Sequence, residues 1–348
     1  MTIKPSVVHT LLGVVVGIVL FLLTFGVEQY YRYHVSNLRS LNGKEHRYYI
    51  YPDMSVDSVL NMVRKDYTIS GELDLRWHMR LMVFNEPKPG HYVFPDEMGD
   101  KQFISMLQSG EQTPVRIKWT NTVRTREELA ARIASQLMLD SADIIGRLSD
   151  DAYMATFDLN AETSRCLFIP NTYEVYWTIS PDELFKRMNQ EYRAFWTEAR
   201  RQKAEAQGLT PAEVAILASI VECETYISKD MPTIASLYIN RLRKGMPLQA
   251  CPTVIYAVGD FSIRRVLKSH LKVDSPYNTY KHKGLPPGPI QCPLPRTLDF
   301  VLNAPKTDYL YMCASPALDG THIFSSSYGT HTSAARDYHR TMNKKHIK

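Results

Sequence analysis

Apolar residues fall into three patterns along this chain. From Val7 to Val27 they run without an Asp, Glu, Lys or Arg. As a helix that stretch is about 31 Å long, matching the hydrocarbon core of a bilayer, and it predicts one uncleaved transmembrane span. A cleaved leader would carry a shorter apolar region followed by a small-x-small site. Glu28 to Glu45 is polar and aromatic, read as a continuing helix and linker. Alternation then takes over: Tyr48 to Tyr51 reads as a strand, and Asp53 to Lys65 as a helix burying Val56, Val59, Leu60 and Val63. Gly90 to Phe94 is extended and Asp100 to Leu107 helical, closed by Gly110. Val115 to Trp119 is extended again and Thr125 to Leu137 helical, with Thr125 and Glu128 spaced as a capping box.

A third pattern begins near residue 150. Ile169 to Trp177 is rich in aromatics and turn formers. Helices are expected from Pro181 to about Gln207, from Thr210 to Tyr226, and from about Pro232 to Lys244, stopped by Gly245. Pro247 to Pro295 reads as a long loop region dense in Pro, Gly, Tyr and Asn, where binding sites concentrate. Tyr309 to Cys313 and His322 to Ser325 are strand candidates, followed by a helix from about Ser333. Alternating strands and helices of unequal spacing predict an α+β protein rather than a solenoid.

One helix carries candidate chemistry. Thr210, Pro211 and Glu213 start it with a capping box and a first-turn proline. Val214, Leu217, Ala218 and Val221 form a core stripe. Glu222 follows beside it, with Ala218 and Ser219 one turn back and Ala215 two turns back. Small residues there would leave room for a substrate. The helix holds no Lys or Arg to pair with Glu222. Spacing alone leaves two readings, a catalytic acid/base and a structural carboxylate.

Composition narrows the field. The 348 residues allow two or three domains; 44% hydrophobic and 22% charged residues are ordinary for a globular protein, and a net charge of +5 does not argue for nucleic acid. Lys344-Lys345 reads as a frayed helix end. There is no P-loop, GxGxxG or HExxH, so no nucleotide, organic cofactor or metal is expected. The five cysteines, Cys166, Cys223, Cys251, Cys292 and Cys313, lack metal spacing. They read either as buried free thiols or as holding a single pair, Cys251 with Cys292, both residues preceding proline in segments expected to flank one cleft.

Several segments occur in a recognisable order: Phe168-Ile-Pro-Asn-Thr-Tyr173, Leu217-Ala-Ser-Ile-Val-Glu-Cys-Glu-Thr225, Ile239-Asn-Arg-Leu242, Pro252-Thr-Val-Ile-Tyr256, Tyr277-Asn-Thr-Tyr280 and Gly284-Leu-Pro-Pro-Gly-Pro-Ile290. Together they resemble the MltG/YceG-like endolytic murein transglycosylases over essentially the whole chain. The resemblance implies a cytoplasmic tail and transmembrane helix (1–28), a linker (29–45), a LysM-like α+β region (46–150) and a mixed α/β catalytic domain (151–348) with its glutamate on a helix. It implies cleavage of the MurNAc-β-1,4-GlcNAc bond of nascent peptidoglycan by attack of the muramic C6 hydroxyl on its own anomeric carbon. That leaves a 1,6-anhydro end and terminates glycan elongation. Glu222 would be the single acid/base, with a pKa raised toward about 6 as in lysozyme's acid. Water-using glycosidases need two carboxylates, and Glu224 lies roughly 200° round the helix from Glu222.

Gln249, Thr253, Tyr256, Tyr277, Asn278 and Tyr280 are the expected sugar contacts, each equally able to serve as a loop or core residue. Ser219, Asn240, Arg241, Gly284, Pro286, Pro287 and Gly288 would support the site. His322 and His331 lack metal spacing. Arg165-Cys166 stands where the family commonly has Glu-Gly, Cys251 replaces a frequent aspartate, and Cys292 a usually polar residue. Peptidoglycan strands are the expected partner, with peptidoglycan synthases by analogy. Lys4 and the amino terminus precede the span while Arg32, Arg39 and Lys44 follow it, against the positive-inside rule. Long domains translocate regardless of charge, so the bulk is expected on the periplasmic side of the inner membrane. A non-catalytic peptidoglycan-binding scaffold and a water-using muramidase are the alternatives.

Overall fold

A computed structural model describes residues 5–344. Lys4, the amino terminus and Lys345 lie outside the described residues. The architecture is mixed α+β with one long apolar helix at the N-terminal end. By packing the chain divides into two compact units, residues 1–116 with 174–178, and 117–173 with 179–348. That division falls inside two short paired strands.

The first unit begins with α1 (Pro5–His34), whose apolar stretch buries nothing within the protein. It runs farther than the apolar stretch alone predicts. The expected linker then supplies β1 (Leu38–Ser40), a three-residue strand too short to announce itself in sequence. There follow β2 (His46–Ile50), α2 (Val56–Val63), β3 (Tyr67–Ile69), α3 (Glu72–Leu81), β4 (Gly90–Phe94), β5 (Glu97–Met98), α4 (Asp100–Ser109) and β6 (Val115–Lys118). Strand β1 lies between β3 and β5, antiparallel to both; β2 pairs antiparallel with β4 from His46↔Phe94 to Ile50↔Gly90. One core joins them, with Val59, Leu60 and Val63 of α2 against Tyr92, Phe94, Phe103 and Leu107. Gly110 closes α4 at φ 75°, the left-handed conformation the sequence anticipates.

Strand β7 (Thr172–Val175) pairs with β6, and both are divided between the units; the second unit further contains α5 (Arg126–Ala134), α6 (Ser141–Leu148), α7 (Asp151–Ala155), α8 (Pro181–Phe195), α9 (Glu198–Gln207), α10 (Pro211–Glu224), α11 (Met231–Arg243), α12 (Cys251–Val258), α13 (Pro295–Leu302), the hairpin β8 (Tyr311–Ala314) and β9 (His322–Ser325), and α14 (Tyr328–Lys344). Several expectations need correction. Thr125 accepts a hydrogen bond from the Glu128 amide at 3.1 Å, but the Glu128 carboxylate turns to the Arg124 amide at 2.6 Å, so only half of a capping box forms. The expected Pro181–Gln207 helix is two: Trp196 is buried between them, and Thr197 caps the second. The loop-like Pro247–Pro295 stretch holds α12, because Pro252 sits in the first turn, where proline favours a helix.

Helix α10 is not amphipathic. Every residue from Val214 to Glu222 is buried, as befits a helix packed on several sides by α9, α11, α12 and α13. Ala215 and Ala218 are therefore small to admit neighbouring helices, not to leave space for substrate.

Candidate active site

Both halves of the α10 capping box form: the Glu213 amide donates to the Thr210 hydroxyl at 3.3 Å, and the Thr210 amide to the Glu213 carboxylate at 2.7 Å. The helix ends at Glu224, where Thr225 turns extended. This places Glu222 in the last turn, 6% exposed. Its Oε1 accepts from Asn121 Nδ2 at 3.1 Å and its Oε2 from the Leu294 amide at 3.0 Å. Leu294 precedes Pro295, the first residue of α13, so its N–H points outward from that helix start. No ion pair reaches Glu222 among the described residues. Burial drives its pKa above the usual carboxylate range, opposed in part by the Leu294 amide, the Thr297 hydroxyl, Asn121 and the charge of Arg296.

Glu224 belongs to a different environment. It accepts from the Tyr238 hydroxyl at 2.7 Å, and burial raises its pKa too. Between the two, Cys223 is exposed, yet surrounding protein pushes its thiol up to about 12.

The elements around Glu222 are sewn together by backbone-directed bonds. Ser219, one turn back, donates to the Ile216 carbonyl at 2.7 Å and accepts from the Ile290 amide at 3.0 Å. The Cys292 amide donates to the Val123 carbonyl at 3.0 Å. Arg165 is buried and has no carboxylate at ion-pair distance among the described residues; its guanidinium donates to the carbonyls of Arg124 and Pro289, and to the Tyr256 hydroxyl at 3.0 Å. Arg165 thus joins the 121–124 segment, which brings Asn121, to the 284–294 loop, which brings Leu294. A side chain at Gly288 would collide with the Glu162 carbonyl and crowd the Tyr277 hydroxyl at 2.9 Å. Gly284 turns at φ 88°, Pro286 is buried and Pro287 exposed.

The remaining motif residues separate into two groups. Thr253 is buried, its hydroxyl 2.8 Å from both the Ala250 carbonyl and the Thr279 hydroxyl. Asn278 is buried and donates to the Leu271 and Val273 carbonyls at 3.0 and 2.9 Å. These two hold their loop rather than face a cleft. Tyr277 is also buried, donating to Glu162 at 2.7 Å. Gln249 is exposed at φ 53°, a conformation costly for a non-glycine residue. Tyr256 and Tyr280 are half-buried; Tyr256 packs on Tyr277 with ring centroids 4.6 Å apart, and the Tyr280 hydroxyl lies 3.4 Å from Cys251 Sγ. Asn240 donates to the carbonyls of Thr307 and Tyr309, and Arg241 to those of Leu310 and Leu248. They brace α11 against β8 and the approach to α12. His322 is bound to Asp230 at 3.1 Å, and His331 stacks on Tyr311.

The expected Cys251–Cys292 bond does not form: both thiols are free, Cys251 exposed and Cys292 buried. Among the described residues no three His, Cys, Asp or Glu side chains gather to hold a metal ion. Asn121, Thr297 and the Leu294 amide carried no sequence signal, because they meet Glu222 only through tertiary folding; Arg165 stood out as a departure from a familiar motif.

The scaffold is mixed α+β, and residues 48–337 match the YceG-like family: the chain belongs to it. It is 29% identical over 307 residues to a Bacillus subtilis (strain 168) protein named endolytic murein transglycosylase, covering 84% of each chain. A Streptococcus pneumoniae (strain D39) protein of the same name is 23% identical over 338 residues, 86% of this chain and 60% of that one. The 2.6 Å crystal structure of a yceG-like protein from Listeria monocytogenes superposes with a TM-score of 0.54 at 25% identity, covering 83% of this chain and 98% of that chain.

Proposed function

We propose that this chain is a membrane-anchored endolytic murein transglycosylase that cuts the MurNAc-β-1,4-GlcNAc bond of nascent peptidoglycan and leaves 1,6-anhydro-MurNAc ends, terminating elongation. The observation that carries this reading is Glu222, a buried carboxyl whose oxygens accept from Asn121 and from the Leu294 amide and which makes no ion pair among the described residues. A carboxyl whose pKa is raised by burial is suited to act as general acid. It gives its proton to the departing GlcNAc O4 as the C1–O4 bond breaks. The carboxylate then takes the proton of the C6 hydroxyl as the new C1–O6 bond forms. The saccharide supplies its own nucleophile, so one acid/base suffices.

A muramidase would need a second carboxylate across the bond. Glu224 is engaged by Tyr238 and Glu162 by Tyr277, and Cys251 occupies the position where an aspartate is frequent in the resembling family. These facts favour the intramolecular route. Gln249, Tyr256 and Tyr280 are the proposed sugar contacts, being accessible. Thr253, Tyr277 and Asn278 are proposed to shape their loop. Helix α1 is proposed as a single span of the inner membrane, with the rest periplasmic, the 46–150 region LysM-like and peptidoglycan synthases as neighbours.

Mass spectrometry of murein digested by the purified protein tests the reading. Anhydro ends support it, reducing ends point to a muramidase, and unchanged glycan points to a scaffold.

A further inference from the structure

Helix α3 carries an apolar stripe that the protein itself does not cover. Leu73, Trp77 and Leu81 follow one another at four-residue spacing and are 84%, 55% and 61% exposed; Val83, just past the helix, is 71% exposed. The opposite side of α3 is ordinary core, with Leu75 and Met79 buried. Val83 adds a second sign. It sits at φ 54°, a conformation that a β-branched residue adopts at a cost, and at that exposure it gains little packing in return. Beside the stripe the Arg80 guanidinium makes no hydrogen bond or ion pair among the described residues.

The position of α3 says what covers it. It is fastened to the end of α1: Arg32 pairs with Asp74, and Tyr33 packs on His78 with centroids 4.8 Å apart. Asn37, just beyond α1, donates to the Gly71 carbonyl at 3.0 Å. Arg32 lies about 7.5 Å along the helix axis beyond Val27, the last residue of the apolar stretch. The polar layer on each side of a bilayer is roughly 5–8 Å deep. The start of α3 is therefore held at headgroup depth. At 100° per residue, Leu81 lies within about 20° of Asp74, so the stripe adjoins the side of α3 that meets α1.

We infer that α3 is a second membrane contact, an interfacial helix that seats Leu73, Trp77, Leu81 and Val83 among the lipid headgroups and upper acyl chains, with Arg80 available to lipid phosphates. The inference rests on the reading of α1 as a span. Its consequence is that the first unit is fixed to the bilayer surface at two points rather than swinging on one.

Trp77 makes the test direct, because Trp119, Trp177 and Trp196 are all buried. The full-length protein is reconstituted into phosphatidylcholine nanodiscs with and without brominated acyl chains, and tryptophan emission is recorded for wild type and Trp77→Phe. The expected result is bromolipid quenching of wild type that Trp77→Phe loses, together with weak acrylamide access to Trp77. Leu73→Ser with Leu81→Ser keeps the reporter and should lose the quenching while melting like wild type, since both side chains are exposed. Absence of bromolipid quenching with Trp77 open to acrylamide overturns the inference, as does a Trp77 response to added peptidoglycan instead of lipid. Alkaline carbonate extraction separates the two readings. A protein released by carbonate has lost the span and this inference with it; a protein retained but unquenched has lost the α3 contact alone.

Discussion

Both units bury acidic side chains, and two of them, Asp100 and Glu222, differ in company. Asp100, the first residue of α4, is fully enclosed; it accepts from Asn37 at 2.7 Å and lies 2.6 Å from His78 Nδ1. Glu222 is nearly as buried, but its oxygens accept from an amide side chain and a backbone N–H rather than lying against an imidazole, and the residue beside it is exposed. Burial raises both pKa values. The difference teaches that burial alone does not mark a reactive carboxyl. Asp100 has an imidazole at hydrogen-bond distance and both oxygens committed to holding β1, α3 and α4 together. Glu222 makes no ion pair among the described residues, and the donors around it are those that would steady a carboxylate.

Four experiments would break or sharpen that contrast. Glu222→Gln should lower the rate of anhydro-end formation by roughly 10³-fold, the size expected for losing a general acid/base, with an unchanged circular dichroism spectrum; near-normal turnover would place the chemistry elsewhere. Asp100→Ala should do the opposite, costing about 3 kcal/mol of stability in denaturant titration because the buried partners are left unmatched, while the folded fraction retains wild-type turnover.

Asn121→Ala should cost about 10-fold in kcat/KM, from loss of one hydrogen bond to a charged group. Asn121 favours the ionised form, so its removal should also move the alkaline limb of the rate profile upward in pH. A limb that stays put would deny Asn121 its contact with Glu222. The smallest effect is on stability. Glu222 holds its proton more tightly folded than unfolded, so its contribution is intact below the ordinary carboxylate pKa and fades as pH climbs to the raised value. Glu222→Gln, which cannot ionise, should therefore match wild type in acid and melt higher at neutral pH, by about 1.4 kcal/mol for each pKa unit of elevation.

Much of this was legible in the sequence, and for local reasons. The capping box at Thr210 and the proline after it locate α10; Gly110 ends α4; the apolar run gives α1. Those signals lie within a few residues of what they specify. The partners of Glu222 do not: Asn121 and Leu294 approach from 101 and 72 residues away, and nothing adjacent to them announces a carboxylate. Thr253 and Asn278 show the converse. Their types suit sugar hydroxyls, but Thr and Asn bond nearby backbone just as readily, and here the backbone has them. Helix α12 is hidden within a stretch whose density of Pro, Gly, Tyr and Asn reads as loop, although proline at a first turn starts a helix.

Helix α10, surrounded by other helices along its whole length, sets how this protein fails on heating. Amides in such a segment exchange with solvent only when the whole unit opens. Deuterium uptake by residues 214–222 should therefore track the main melting transition, and catalytic loss should coincide with it. A warmed sample would then hold working and unfolded molecules, with no intact but crippled population between them.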